Sequence, residues 1–305
     1  RPKLWDAWDI DREYVSKAEP VVTAATLDVT RQPDGGLQLS FTRAMGRSSR
    51  ARQCFRFYPD RPGVIEADCA VDWQEEHRLL RVIFPSSLAP ATFRAGTQFG
   101  HIDRPAAPPA RGGGAMFECP FQGWLSIGEA QTRGITLVFP DRYGASCDRG
   151  TLGVSLLRSP KYPDPKADMG EHRFRYLILP WASSAFPFEC SSLLWPARAI
   201  QPAAGDPGRP LSWSPIHTRL RLESATLDPH GRLMVRLSNP AGAAHHETVS
   251  WGFPVRAVEP VTILGEPTQV NDFVHRDSDP GHGKPATSFT IAPFQVLTLA
   301  VTRAD

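Results

Sequence analysis

The sequence predicts an all-β protein made of a large antiparallel β-sandwich followed by a smaller one. Short segments alternate apolar and polar residues with period two, and Gly, Pro, Asn and Asp separate them. The chain holds 30 prolines and 24 glycines in 305 residues, which suits short strands joined by turns. No apolar stripe of helical period exceeds two turns. A chain of this length can bury two hydrophobic cores.

Turn chemistry defines the predicted strands. Residues 26–30 and 37–41 alternate and flank a turn that contains Gly35 and Gly36, which predicts a hairpin. Residues 153–180 place a strand before a proline-rich loop and another strand after it. The other predicted strands are 79–84, 134–139, 154–157, 174–179, 219–226, 233–237, 248–253 and 288–302, the last with a break at Pro293.

One Pro/Gly-rich stretch predicts the domain boundary. Residues 196–212 are polar and repeatedly interrupted by Pro and Gly, which is typical of an exposed linker. We therefore expect a first domain over 1–195 and a smaller one over 213–305. A second stretch, 104–115, ends in three glycines and is predicted to be a loop.

Composition excludes several function classes. The net charge is +2, with 34 basic and 32 acidic side chains, so no electrostatic attraction to nucleic acid or an anionic membrane is expected. No apolar run approaches the roughly 20 residues that span a bilayer. The five cysteines form no Cys-x-x-Cys pair, which favours reduced, buried thiols and a reducing compartment.

The loop after residue 157 holds the main functional candidates. Pro160, Pro163 and Pro165 restrict its backbone, and Gly170 allows a corner at positive φ. A rigid loop presents its polar side chains in defined positions. These side chains are Arg158, Asp164, Asp168 and His172.

The same segment carries a family resemblance. Residues 156–176, Leu-Leu-Arg-Ser-Pro-Lys-Tyr-Pro-Asp-Pro-Lys-Ala-Asp-Met-Gly-Glu-His-Arg-Phe-Arg-Tyr, resemble the C-terminal region of glycoside hydrolase family 38, the α-mannosidases, and most closely their cytosolic-type branch. Four further segments are similar to the family in the family's own order. They are 4–10 (Leu-Trp-Asp-Ala-Trp-Asp-Ile), 71–85, 98–105 (Gln-Phe-Gly-His-Ile-Asp-Arg-Pro) and 293–299.

The resemblance implies a supporting rather than a catalytic role. Family members hydrolyse terminal α-mannosides with retention, and their zinc ligands and aspartate nucleophile lie in an N-terminal α/β domain that precedes a helical segment. No segment here resembles either part. The resemblance thus implies the C-terminal non-catalytic β region of such an enzyme, which supports the catalytic domain and lines part of its substrate site.

Fold, cofactors and partners follow from the same resemblance. The first domain is expected to be a galactose-mutarotase-like supersandwich whose first strands lie upstream of Arg1. No cofactor is expected in this chain, and zinc is expected in the catalytic domain. The expected partners are the catalytic and helical domains of the same protein and a mannoside or other carbohydrate, with no nucleic acid and no membrane. A homo-oligomer is possible, and the expected location is the cytoplasm.

Two groups of candidates each keep a second interpretation. In the first group, indole rings and carboxylates could together form a surface that binds a sugar. The same indole rings could instead fill the edge of a hydrophobic core, and the carboxylates could cap turns. This group is Trp5, Asp6, Trp8 and Asp9. Arg158 with Asp164 and Asp168 could orient a catalytic acid or a substrate hydroxyl, since the family contributes an arginine near its catalytic carboxylates. The same three residues could instead form an ion-pair network that holds the loop.

A different class of function also fits the sequence. A stand-alone carbohydrate-binding or scaffold module without hydrolase activity would show a shallow cleft lined with Trp and carboxylates. Part of an enzyme would instead expose a broad apolar face on the first sandwich. The glycines at 112–114 replace an Asn-Thr-Ser-Trp-Asp segment of the family, which implies altered substrate recognition. The histidines and aspartates between 245 and 282 match no common metal-ligand spacing, and no metal site is expected there.

Overall fold

A computed structural model describes residues 6–8, 10, 14, 16–107, 118–129, 133–179, 213–215, 220–277 and 284–304. Over these residues the chain forms 21 β-strands and no helix, so the predicted all-β class is confirmed. Two compact units emerge, one from 1–97 and 102–197 and the other from 98–101 and 198–305. Within the described ranges, no helix is long and apolar enough to cross a membrane.

The first unit contains a nine-stranded sheet and a four-stranded sheet, both with antiparallel pairing. The nine-stranded sheet has the order β1-β2-β3-β4-β13-β10-β9-β6-β7. Its strands are β1 (Thr26–Arg31), β2 (Leu37–Met45), β3 (Ser49–Phe57), β4 (Ile65–Trp73), β6 (Thr92–Gly96), β7 (His101–Pro105), β9 (Gly123–Glu129), β10 (Arg133–Phe139) and β13 (Gly170–Leu179).

The four-stranded sheet has the order β5-β12-β11-β8 and packs on the inner face of the larger one. Its strands are β5 (Leu79–Phe84), β8 (Cys119–Pro120), β11 (Gly144–Asp148) and β12 (Thr151–Arg158). Alternation puts Leu152 and Val154 into the core, where they pack with Leu137, Phe139 and Tyr176. Burial of these side chains is the main force that holds the two sheets together.

The second unit consists of two four-stranded sheets around a separate core. One has the order β14-β17-β20-β19 and the other β15-β16-β21-β18. Trp251, Phe289 and Leu299 lie at the centre of the core. The strands are β14 (Trp213–Pro215), β15 (Arg221–Leu227), β16 (Leu233–Ser238), β17 (His245–Trp251), β18 (Val255–Val261), β19 (Val274–Arg276), β20 (Ala286–Ile291) and β21 (Val296–Arg303).

The strands predicted from alternation are all present, and β5 has the predicted bounds. The turn glycine Gly35 adopts φ 83°, which a residue with a Cβ rarely adopts. The predicted loop 104–115 begins later than expected, because Arg104 and Pro105 belong to β7 and residues 108–115 lie outside the described ranges. The whole of the predicted linker 196–212 also lies outside them, and the domain bounds 1–195 and 213–305 stay a prediction.

Candidate functional site

The loop between β12 and β13 is closed by hydrogen bonds at its two ends. The main-chain N–H of Arg158, at the end of β12, donates to Asp168 Oδ2 over 2.5 Å. Asp168 adopts φ 56°, a left-handed conformation that Asp tolerates better than most residues. His172 Nε2–H donates to the Asp168 carbonyl oxygen over 3.0 Å, and its ring stacks on Phe174. Asp168 therefore fixes both the start of the loop and its return into β13.

The Arg158 side chain is fixed by a second acidic residue, far away in sequence. Arg158 Nε–H donates to the main-chain carbonyl oxygen of Asp6 over 2.6 Å. The Asp6 carboxylate is buried and accepts from Nδ1–H of His77 over 2.6 Å. His77 lies in the turn between β4 and β5 and has φ 53°. Three segments of the chain thus meet at Asp6.

The turn between β4 and β5 also holds the first residues of the proline-rich loop. The His77 N–H donates to the Ser159 carbonyl over 2.8 Å, and the Ser159 N–H donates to the Arg78 carbonyl over 3.1 Å. The buried hydroxyl of Ser159 accepts from the indole N–H of Trp73. Lys161 Nζ lies 2.8 Å from Glu76 Oε1. The loop therefore has fixed partners along its first half.

The predicted site residues separate into those that meet and those that do not. Asp6, Arg158, Asp168 and His172 form one connected arrangement. Asp164 instead accepts from the Lys166 main-chain N–H over 2.8 Å, so it caps a turn within the loop. Trp8 is 64% exposed. Trp5 and Asp9 lie outside the described residues, as do the glycines at 112–114.

The sequence did not identify three residues that form the site, namely His77, Ser159 and Lys161. His77 lies within 71–85 and the other two within 156–176, so all three fall in segments that resemble the family. No spacing signal connects His77 to Asp6, because the two residues are 71 positions apart. Only the folded sheet brings them together.

The arrangement presents a fixed guanidinium rather than a nucleophile or a metal. Arginine stays charged at all relevant pH values and presents five N–H donors in a planar fork, which suits carboxylates and vicinal hydroxyls. The contact at its Nε limits the rotamers that Arg158 can adopt, and the contact at its main-chain N–H fixes its backbone. Among the described residues, no group of three or more His, Cys, Asp or Glu side chains is arranged to hold a metal ion.

Two of the described cysteines, Cys69 and Cys147, are poor nucleophiles. Cys54, Cys69, Cys119 and Cys147 are free, and Cys190 lies outside the described residues. Burial raises the pKa of Cys69 to about 12 and that of Cys147 to about 11. Since the thiolate is the reactive form, these two side chains are chemically inert near neutral pH.

Two of the family-like segments touch each other in the second unit. The His101 ring packs edge-on against the Phe294 ring, with centroids 5.3 Å apart. A Cβ on Gly100 would lie 2.3 Å from Phe294 Cδ1, so only glycine fits there. Gly100 and His101 of the segment 98–105 therefore pack with Phe294 of the segment 293–299, although these residues are far apart in the sequence.

Comparisons with known proteins show which family this chain is similar to. The profile of the Glycosyl hydrolases family 38 C-terminal domain matches residues 1–166. Human Alpha-mannosidase 2C1 is 30% identical over 318 residues, which cover 98% of this chain and 29% of the relative. Alpha-mannosidase G of Dictyostelium discoideum is 38% identical over 120 residues, 39% of this chain and 11% of the relative.

The fold is shared with a solved structure. A protein of glycosyl hydrolase family 38 from Enterococcus faecalis superposes with a TM-score of 0.69 at 14% identity, over 92% of this chain and 37% of that one. The chain thus spans less than two fifths of the length of these relatives. On the profile match and the human relative, the chain belongs to glycosyl hydrolase family 38 and contains the C-terminal domain of that family.

Proposed function

We propose that this chain is the non-catalytic C-terminal β part of a retaining α-mannosidase. It supports the catalytic domain and brings Arg158 to the edge of the substrate site. The observation that carries this proposal is the fixed geometry of Arg158, in the most family-like segment of the chain. The catalytic carboxylates and zinc belong to the rest of the polypeptide, and the whole enzyme acts in the cytoplasm.

Arg158 has two roles open to it in such a site. Its guanidinium can donate to a neighbouring carboxylate of the catalytic domain, or to a hydroxyl of the bound mannoside. In both cases it acts by orientation and charge, because it does not exchange protons. The contact with the Asp6 carbonyl holds the guanidinium before substrate arrives, and the contact with Asp168 holds the Arg158 main chain, which reduces the ordering cost in the transition state.

The isolated chain is expected to have no α-mannosidase activity. The test is hydrolysis of an aryl α-mannoside by the purified 305-residue chain with zinc added. Turnover that follows the protein peak through a second purification would contradict the assignment of the chemistry to another part of the polypeptide.

Arg158→Ala in the full-length enzyme tests the role of the arginine. A lost hydrogen bond to a charged group is worth roughly 1.5–3 kcal/mol, so kcat should fall by about 10²-fold if the bond acts in the transition state. Arg173→Ala is the matched control, because Arg173 is an exposed arginine on β13. Lower stability with unchanged kcat in Arg158→Ala would leave the residue with a structural role only.

A carbohydrate-binding module without hydrolase activity is the second candidate. The exposed indole of Trp8, two residues from the buried Asp6, favours it, since an exposed indole face can stack on a pyranose. Titration of the isolated chain with mannose oligosaccharides, followed by Trp fluorescence, separates the two. Saturable binding that Trp8→Ala abolishes would support the module.

A further inference from the structure

The two most exposed aromatic side chains of the described residues lie beside the hydrogen bond between Arg158 Nε and the Asp6 carbonyl. Among the described phenylalanine, tyrosine and tryptophan residues, Tyr162 is 65% exposed and Trp8 is 64% exposed. Trp8 follows Asp6 by two residues, and Tyr162 follows Arg158 by four. Since a chain extends by at most about 3.6 Å per residue, the Trp8 Cα lies within about 7 Å of the Asp6 Cα, and the Tyr162 Cα within about 14 Å of the Arg158 Cα. Both rings therefore belong to the candidate site.

The backbone that carries Tyr162 is held on both sides of the ring. The prolines of the loop restrict its main chain. Lys161, directly before Tyr162, donates from Nζ to the Pro165 carbonyl over 2.8 Å, and the same Nζ lies 2.8 Å from Glu76 Oε1. Neither Tyr162 nor Trp8 is part of a hydrophobic core cluster formed by the described residues. The Tyr162 ring is thus presented at the surface by a stiff loop and has no role in the core.

An exposed aromatic ring near a fixed guanidinium suits a carbohydrate ligand. The flat face of Trp or Tyr stacks on the apolar C–H face of a pyranose. Arginine N–H groups donate hydrogen bonds to the hydroxyl groups of the same sugar. Binding sites for small molecules combine such apolar faces with a few placed polar groups. Trp8, Tyr162 and Arg158 offer both kinds of contact within one part of the chain.

We propose that Trp8 and Tyr162 bind the leaving-group sugar, which is the residue to which the cleaved mannose is attached. The proposal rests on the proposed function, in which the catalytic domain holds the terminal mannose and this chain forms the edge of the substrate site. A glycosidase places its two carboxylates at the bond that is cleaved. An enzyme that removes terminal residues encloses the terminal sugar, and the leaving group extends outwards to the edge of the site. Rings at this edge therefore select substrates by their leaving group.

The experiment compares two substrates of the full-length enzyme that differ in the leaving group. The leaving group of an α-linked mannobiose is a sugar ring, whereas that of α-mannosyl fluoride is a single ion on which no aromatic ring stacks. The readout is the ratio of kcat/KM for the mannobiose to kcat/KM for the fluoride. Tyr162→Ala and Trp8→Ala should each lower this ratio by about three- to tenfold, the range expected for one aromatic contact.

Two control variants separate the ring contact from other effects. Tyr162→Phe keeps the aromatic face and should keep the ratio. Phe57→Ala removes an aromatic side chain that is 36% exposed in the same unit. Phe57 pairs with Ile65, at the opposite end of β4 from Trp73, whose partner Gly170 starts β13. The eight residues from Ile65 to Trp73 span about 27 Å at roughly 3.4 Å per residue, so Phe57→Ala should also keep the ratio.

Each outcome supports or overturns a defined part of the proposal. An unchanged ratio in one folded alanine variant would remove that residue from the proposed site, and an unchanged ratio in both would overturn the proposal. An equal fall of kcat/KM for the two substrates would also overturn it, because the rings would then serve the structure or the terminal mannose.

Two further measurements keep the result decisive. Where an alanine variant does not fold, Tyr162→Leu and Trp8→Leu keep an apolar side chain and remove the ring, and a retained ratio in these leucine variants would overturn the proposal. No turnover of either substrate by the unaltered full-length protein would refute the proposed function. Turnover of both substrates with a ratio that the variants do not change would refute only the binding of the leaving-group sugar.

Discussion

Replacing His77 tests whether the Asp6 contact organises the candidate site. His77→Ala removes the only described side-chain donor to the buried Asp6 carboxylate, a hydrogen bond of 2.6 Å. A hydrogen bond to a charged group contributes roughly 1.5–3 kcal/mol. Histidine and alanine both carry a Cβ, so the left-handed strain at φ 53° is nearly the same before and after the change. The expected loss in the free energy of unfolding is therefore roughly 1.5–3 kcal/mol, from the lost hydrogen bond.

Two further replacements at the same position separate the side chain from the backbone. Glycine tolerates the left-handed conformation, so His77→Gly should show the loss of the hydrogen bond without the strain of alanine. Asparagine tolerates φ > 0 and offers an amide donor, so His77→Asn should recover part of the stability. The assay is guanidinium unfolding of the 305-residue chain, with Asp6→Ala added to complete a double-mutant cycle. A coupling energy between His77 and Asp6 below about 0.5 kcal/mol would refute the reasoning.

Three more predictions concern groups away from the site. Burial alone would raise the pKa of Glu66. Hydrogen bonds from Arg175 and Tyr58 and the charges of nearby arginines have a larger opposite effect, so the pKa lies below 4.5 in the folded chain. The ionised carboxylate therefore stabilises the fold fully above about pH 4.5, and this stabilisation is lost as the pH falls through the folded pKa. Glu66→Gln should make the free energy of unfolding fall less steeply with decreasing pH on the acid side. An unchanged acid-side slope would contradict this prediction. Gly100→Ala should destabilise the second unit by roughly 1–3 kcal/mol, because its Cβ would overlap Phe294, and Gly100→Ala combined with Phe294→Leu should recover part of the loss in thermal melts. Cys69 should react with a thiol reagent at pH 8 only after denaturation, because burial raises its pKa to about 12; rapid labelling in the native chain would disprove it.

Local patterns predicted the strands, because a strand's alternation and its turn residues lie within a few positions of each other. The predicted strand 79–84 is β5 with the same bounds, and Gly35 occupies the positive-φ turn expected of it. The Asp6–His77 bond had no such signal. It depends on how β4, β5 and the N-terminal segment come together, and neither side chain reveals its partner by spacing.

The two aspartates of the proline-rich loop show why residue type alone could not assign the site. Asp164 and Asp168 lie four positions apart, and both are acidic neighbours of Arg158 in sequence. The Asp164 carboxylate accepts a hydrogen bond from the Lys166 main-chain N–H. Asp168 instead adopts φ 56°, and its carboxylate accepts a hydrogen bond from the Arg158 main-chain N–H. The difference arises from the path of the loop, which enters β13 two residues after Asp168 and leaves Asp164 at its exposed side. Asp168→Ala should thus release the Arg158 main-chain N–H and keep the His172 bond, which goes to the main-chain carbonyl, and Asp164→Ala should affect only the local turn.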